Sequence, residues 1–330
     1  MNPLRFGILG AARIAPAALI KPARGAPDVT VAAVAARDEK KASAFARQHN
    51  IPRILDSYDA LVNDSEIDAI YNPLPNSLHH EWTIKALRAG KHVLCEKPLA
   101  SNAREAEEMT RVAEETGRVL MEAFHYRYHP LARRVEEIIA SGEIGALREL
   151  QAEFFIPLFL RPRDIRFQYA LAGGATMDTG CYCINLLRWL ARSEPQILSA
   201  RARKVSPQVD RLMFAEMLFA NGVRAKMGCS LAAFPPLKIF ARVRGERGSV
   251  EILNPFIPHV YFRGLTVITP QGKRRETVST EPTYNFQLRA FLAATRGENT
   301  NITDGRDGVK NMRVIDALYE KAGMKIRGRA

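Results

Sequence analysis

The chain has 330 residues, 47% of them hydrophobic and 25% charged, which predicts about two folded domains and excludes a disordered chain. No apolar run approaches the roughly 18–20 residues that a membrane helix needs. The net charge of +13 favours anionic partners, yet there is no RNP motif, zinc-finger spacing or long Lys/Arg block to point to nucleic acid. Taken in chain order, residues 6–9 read as a buried strand. Residues 14–24 have a helical pattern but carry Pro16 and Pro22, which leave the ends open. A β-type run follows at 29–35, then a helix at 39–49 and a short helix starting at Ser57-Tyr58-Asp59. Residues 67–71 form a third strand, broken by Asn72-Pro73-Leu74-Pro75, and 77–89 a helix stopped by Gly90. A strand at 91–95, a helix at 102–116 and a strand at 118–123 complete the first half. Strands alternating with helices of this length predict βαβ units and a parallel sheet.

After Pro130 the rhythm changes. A helix at 131–141 is followed by β-type runs at 147–156, 197–204, 211–219, 223–230, 239–244 and 250–253. Turn residues such as Asn221-Gly222 separate them, which predicts an antiparallel sheet. Helices are expected at 181–191, 286–295 and 308–322. The domain boundary is expected near residue 125.

Three stretches carry candidate chemistry. The segment from Gly7 to Ala15 reads as Gly10-x-Ala12-x-x-Ala15, a glycine turn with alanine at its second and third positions. Such a turn brings backbone N–H groups to a pyrophosphate at a helix start; an ordinary strand–turn–helix is the plainer reading. At the end of the second strand stands Ala35-Ala36-Arg37-Asp38, followed by Lys40 and Lys41. A small residue and then Arg suits a ribose 2′-phosphate, with Asp38 free to cap the next helix. The alternative is that Arg37 is a solvated loop residue.

Cys95-Glu96-Lys97-Pro98 follows directly on a strand. Ligands of doubly wound sheets bind at the carboxyl ends of strands, so Lys97 is a candidate to polarise an oxygen. Otherwise it is a surface lysine at a turn. The run Gly173-Gly174-Ala175-Thr176-Met177-Asp178-Thr179-Gly180-Cys181-Tyr182 opens a helix, with Asp178 and Tyr182 four residues apart on one face. The pair could bind hydroxyls and move a proton, or could be a helix cap and a core aromatic.

Other reaction classes fail by spacing. None of the nine tyrosines has a lysine four residues later, and no P-loop, H-E-x-x-H or G-x-S-x-G motif occurs. The adjacent pair His79-His80 is no metal site by itself, and none is expected. Cys95, Cys181, Cys183 and Cys229 form no C-x-x-C pair. Reduced thiols in a cytoplasmic protein are expected, since no secretory leader is read before residue 6.

The glycine turn, the Asn72-Pro73 break with His79, the Glu96-Lys97-Pro98 triplet and the Gly173–Tyr182 segment together resemble the Gfo/Idh/MocA oxidoreductase family. Many members carry His where Tyr182 stands and Asp where Asn185 stands. Tyrosine there is similar to the branch of glucose–fructose oxidoreductase, dimeric dihydrodiol dehydrogenase and NADP-dependent D-xylose dehydrogenase. Asn72-Pro73-Leu74-Pro75 and Asp164-Ile165-Arg166-Phe167 look closer to deoxysugar 3-ketoreductases.

The resemblance implies an α/β fold: an N-terminal Rossmann domain, residues 1–125, with a doubly wound parallel sheet, then a C-terminal α+β domain, residues 126–330, on an open, mostly antiparallel sheet. The second domain would bind substrate and join copies into a homodimer or homotetramer. NADP would lie with Gly10, Ala11, Ala12, Arg13 and Ile14 around the pyrophosphate and Arg37 and Lys41 at the 2′-phosphate. Asn72, Pro73, Leu74, Asn76, His79, Glu96 and Lys97 would stand on the nicotinamide side. Tyr182 would exchange a proton with a sugar or polyol oxygen, helped by Lys97, while Asp178 fixes hydroxyls; the choice of Lys97 or Tyr182 as proton donor stays open. A redox-assisted glycoside-processing enzyme with no net change in NADPH is the other activity implied.

Overall fold

The structure is a computed structural model that describes residues 2–158, 164–260 and 262–328. Arg329, the end of a basic cluster that begins at Lys325, lies outside the described residues. The chain divides into two compact units.

The first unit comprises Met1–Phe124 and Tyr284–Val309. Its elements are β1 (Leu4–Leu9), α1 (Lys21–Arg24), β2 (Val29–Ala35), α2 (Glu39–His49), β3 (Arg53–Leu55), α3 (Tyr58–Asn63), β4 (Ala69–Asn72), α4 (His79–Arg88), β5 (His92–Cys95), α5 (Ala103–Thr116) and β6 (Leu120–Glu122). The strands pair in parallel in the order β3-β2-β1-β4-β5-β6. That order reverses between β1 and β4, so the crevice for a ligand opens beyond their carboxyl ends, at Gly10 and Asn72. Phe6, Ile8, Ile70, Tyr71, Val93 and Leu94 are fully buried, because helices cover both faces of such a sheet.

Helix starts follow local chemistry. The side chains of Asp38, Ser57 and Asn102 accept from the N–H three residues on, at Lys41, Ala60 and Glu105. The segment read as a helix over 14–24 opens instead as a π turn, Pro16–Ile20, before α1. Its two prolines have no N–H for a regular ladder. β3 was not expected. It is three residues long and half in solvent, too short to show a period.

The sequence division at residue 125 put everything after it in one domain. Residues 284–309 instead pack with the first unit. Asn301 Nδ2 donates to Leu120 O at 2.9 Å, and Thr303 O accepts from Glu122 N–H at 2.8 Å while its hydroxyl donates to Glu122 O at 2.7 Å. The segment thus covers the β6 edge, which would otherwise present unpaired backbone. No strand pattern in the sequence marks it.

The second unit comprises His125–Thr283 and Lys310–Ala330. It holds α6 (Pro130–Ala140), β7 (Leu147–Phe155), α7 (Cys181–Ala191), β8 (Pro195–Ser206), β9 (Val209–Phe219), β10 (Arg224–Ser230), β11 (Lys238–Gly245), β12 (Ser249–Leu253), β13 (Gly264–Thr269) and β14 (Gly272–Glu276). Two helices cross between the units, α8 (Thr283–Thr295) and α9 (Gly305–Lys321). The strands form one sheet in the order β14-β13-β12-β11-β7-β10-β9-β8, antiparallel except for the β7–β10 pair. α7 packs against β7 and β10. β13 and β14 were not expected. β14 absorbs Lys273-Arg274-Arg275, whose charge hides a strand and guards a sheet edge. There Arg274 is paired with Glu143 and Glu276, and Arg134 with Glu276.

Candidate active site

In the first unit the β1 turn leaves backbone donors unused. Gly10 sits at φ +82°, a conformation that favours glycine, and a Cβ there would crowd the Leu74 side chain at 3.1 Å. Its N–H donates to Ala35 O at 2.7 Å, and the N–H of Ala15 donates to Ala12 O at 3.1 Å. Between them, the N–H groups of Ala11, Ala12, Arg13 and Ile14 have no acceptor among the described residues. Four consecutive free amides ahead of a helix suit a pyrophosphate.

One strand over, Arg37 is exposed and makes no ion pair among the described residues. Arg13 is in the same position. Asp38 is turned to its helix instead: it caps α2 through Lys41 N–H at 3.1 Å and pairs with Lys41 Nζ at 3.4 Å. These contacts hold its carboxyl below the usual range, the Lys41 amide first. Lys41 is thus engaged at the surface with the helix cap, whereas Arg37 has no such partner among the described residues.

Beyond β4 the turn is braced from inside. Asn72 is fully buried, and its amide donates to Thr83 Oγ1 at 3.1 Å and His79 O at 3.3 Å. Pro73, Leu74 and the 3₁₀ turn Asn76–Leu78 follow. His79 turns Nδ1 to Pro98 O at 2.9 Å and Nε2 to Leu74 O at 2.8 Å. Those carbonyls favour the charged ring, but burial outweighs them and pushes the pKa down to about 4, with the nearby Lys97 ammonium acting the same way. His79 packs between the Leu74 and Pro98 turns; its neutral ring, with one N–H, donates to one of the two carbonyls at a time. Pro98 follows a cis peptide bond from Lys97. Glu96 accepts from Tyr71 Oη at 2.6 Å, and burial, with Glu96 adding, raises the Tyr284 phenol. Lys97 is half-buried beside this group.

In the second unit a buried knot sets the Gly173–Tyr182 segment. Asp210 and Arg327 are both fully buried and pair at 2.9 Å. Asp210 also accepts from Tyr319 Oη at 3.0 Å and from Thr176 N–H and Oγ1, each at 2.7 Å. Arg327 Nε donates to Gly173 O at 2.8 Å. A Cβ on Gly174, at φ +138°, would stand 2.2 Å from Asp210 Oδ1. Gly174 is therefore the imprint of this knot, while a Cβ on Gly173 would stand 2.6 Å from Arg166 O and 2.8 Å from Gln168 O. From the knot run the π turn Thr176–Gly180 and α7, so Asp178 and Tyr182 straddle the junction of the two.

Asp178 accepts from Arg166 Nε at 2.9 Å, and Arg166 Nη1 lies 3.0 Å from Asp164. The two carboxylates, Asp178 first, hold the Arg166 guanidinium above its ordinary range. Tyr182 is buried among Tyr126, Phe154 and Phe256, with ring centroids 5.3–6.0 Å away. Its Oη lies 3.1 Å from His125 Nε2, and His125 Nδ1 lies 2.7 Å from Thr283 Oγ1. Asn185 accepts from Tyr126 Oη at 2.6 Å, a role carboxylate or amide can fill. The sequence reading passed over Arg166 as a partner of Asp178, and over His125 and Thr283 altogether. The dense run His125-Tyr126-Arg127-Tyr128-His129 straight after a strand was the available signal for His125.

The family model described as "Oxidoreductase family, NAD-binding Rossmann fold" matches residues 4–124, and the GFO/IDH/MocA C-terminal domain matches 132–251. D-xylose 1-dehydrogenase (NADP(+)) 2 of Haloferax volcanii is 36% identical over 320 residues, 97% of each chain. The chain belongs to the Gfo/Idh/MocA oxidoreductase family. A second Gfo/Idh/MocA relative is trans-1,2-dihydrobenzene-1,2-diol dehydrogenase of Macaca fascicularis, 35% identical over 68% of this chain and 66% of its own. Among solved structures, KijD10, a 3-ketoreductase from Actinomadura kijaniata in complex with NADP and TDP-benzene, superposes with a TM-score of 0.89 at 29% identity, covering 97% of this chain and 98% of that one. All four cysteines of the present Gfo/Idh/MocA chain are buried and free. No helix among the described residues is long and apolar enough to cross a membrane.

Proposed function

We propose that this protein is an NADP-dependent dehydrogenase/reductase acting on a carbinol or carbonyl carbon of a free sugar or related polyol. One observation carries the reading most: four unused amides at Ala11–Ile14 stand at the switch point of a parallel sheet, with unpaired Arg37 at the next strand end. The amides suit the pyrophosphate and Arg37 the 2′-phosphate. Ala36 before it leaves no carboxylate at the usual NAD position. When bound, NADP supplies or accepts the hydride.

The chain's own residues handle the oxygen. Tyr182 moves the proton at the reacting oxygen, and the Lys97 ammonium polarises that oxygen. The convergence of Lys97 and Tyr182 over one substrate is part of this proposal. Glu96, Asn72, Pro73, Leu74, Asn76 and His79 shape the nicotinamide side, the buried ones through the turn they brace rather than by direct contact. Asp178 accepts from sugar hydroxyls, its carboxylate oriented by Arg166. The Asp164–Arg166–Asp178 group sums to one negative charge, which favours a neutral polyol over a nucleotide-linked sugar. That charge supports the dehydrogenase reading over the deoxysugar 3-ketoreductase reading, and the panel below separates the two.

The second unit would carry the substrate site and the contact between copies. Leu198, Val205 and Phe214 stay exposed on β8 and β9, which supports a homo-oligomer formed through the sheet. Four buried free thiols fit a cytoplasmic location. The test is a panel of D-xylose, D-glucose, trans-dihydrobenzenediol and a dTDP-linked sugar, followed by NADPH absorbance with NADP and with NAD. Turnover of a free sugar or diol with NADP is expected. Turnover of the dTDP-sugar alone would select the ketoreductase reading, and product without net absorbance change would select redox-assisted glycoside processing.

A further inference from the structure

Tyr182 presents a chemical problem that the second unit answers within itself. A free phenol titrates near pH 10, so a tyrosine that must become phenolate at neutral pH is a poor base. A phenol that takes one proton while handing on another never needs to become phenolate. Such a residue needs a chain of groups behind it, each able both to donate and to accept.

That chain is present. Tyr182 Oη lies 3.1 Å from His125 Nε2, and His125 Nδ1 lies 2.7 Å from Thr283 Oγ1. Thr283 Oγ1 in turn lies 3.3 Å from His259 Nδ1. His125 and Thr283 are buried, while His259 is only partly so. The Thr283 N–H also donates to His259 Nδ1 at 3.3 Å, so that nitrogen is an acceptor and the ring proton rests on Nε2.

We propose that His125, Thr283 and His259 form a proton relay that connects Tyr182 to solvent. The inference rests on the reading of Tyr182 as the proton-moving residue. In alcohol oxidation the substrate hydroxyl proton passes to Tyr182 Oη, whose own proton passes to His125 Nε2. The proton on His125 Nδ1 passes to Thr283 Oγ1, and the Thr283 hydroxyl proton passes to His259 Nδ1. His259 then releases its Nε2 proton to water. Each group gains one proton and loses one; the alcohol's hydride leaves to NADP. Carbonyl reduction runs the same steps backwards. Burial lowers the His259 pKa, so an imidazolium formed there gives its proton up readily near neutrality. His129, close enough for its own pKa to be lowered to about 4 by burial and by His259, and Glu281 beside His129 are the other titratable groups at this end. His125 and Thr283 are positioning residues that act through Tyr182.

The test uses the full-length protein with NADP and whichever panel compound turns over fastest. Thr283→Val should lower kcat at least tenfold with KM for NADP unchanged, and Thr283→Ser should restore it. His259→Ala should turn over slowly in dilute buffer and recover as imidazole is added, because a soluble base replaces the exit group. The acid limb of its kcat–pH profile should follow the added imidazole. Wild-type kcat in Thr283→Val, or a His259→Ala rate that ignores imidazole, would overturn the relay. Tyr182→Phe is the control: if it is inactive while the relay variants behave as wild type, the relay alone is lost. If Tyr182→Phe retains full activity, or no panel compound turns over, the reading of Tyr182 falls and the relay with it.

Discussion

The two units prepare for ligand in opposite ways. The first leaves polar groups unspent: the amides of Ala11–Ile14 have no acceptor, and Arg13 and Arg37 have no counter-charge among the described residues. The second spends its polar groups at the knot. Asp210 takes four hydrogen bonds, from Arg327, Tyr319 and twice from Thr176, with all of its partners buried. On the proposed function, the difference follows from what each region has to hold. An anion brings its own charge, so free donors at a solvent-facing turn are stabilised when it arrives. A proton-moving phenol must instead stand in one place to within a few tenths of an ångström, which a saturated, buried network provides.

The sharpest break of this contrast is at the knot. Arg327→Met strands the Asp210 carboxylate in the interior, and loss of one partner of a buried pair costs about 3–5 kcal/mol. Urea unfolding of the variant should show that loss, whereas Arg13→Met at the open turn should leave the unfolding midpoint unchanged. Tyr182→Phe should lower kcat about 10²–10⁴-fold with NADP affinity unchanged, measured by steady-state kinetics and fluorescence titration.

His79 tests the braced side of the first unit by pH. Its folded pKa, about 4, lies below the value of about 6.5 of an unfolded chain, so the folded state resists protonation. Stability is complete above pH 6.5 and falls as the pH drops towards 4, by about 1.4 kcal/mol per unit from this residue. His79→Gln, melted across that window, should show a shallower acid slope than wild type; an unchanged slope would assign the loss elsewhere. The smallest expected effect is at the open edge. Arg37→Asp should weaken NADP binding about 10–100-fold and NAD binding little, since only the former carries the phosphate that a charge-assisted bond would hold. Equal losses for both cofactors would remove Arg37 from the site.

Local signals account for much of this protein. Val29–Ala35, Glu39–His49 and Cys181–Ala191 were legible to the residue, because period and flanking caps or breakers act within one turn or one strand. The alternation of strand and helix, and the change of rhythm after Pro130, were equally plain in the sequence. The Gly173-Gly174 pair was visible as a signal, but the cause at Gly174 was not, since Asp210 and Arg327 stand 36 and 153 residues further along. Only the tertiary structure returned residues 301–304 to the β6 edge, placed Arg166 on Asp178, and lined up His125, Thr283 and His259 behind Tyr182. Sequence records what each residue prefers within its own element. Which side chains share a buried hydrogen bond is decided by strand pairing and helix packing across long stretches of chain, where spacing along the sequence carries no distance in space.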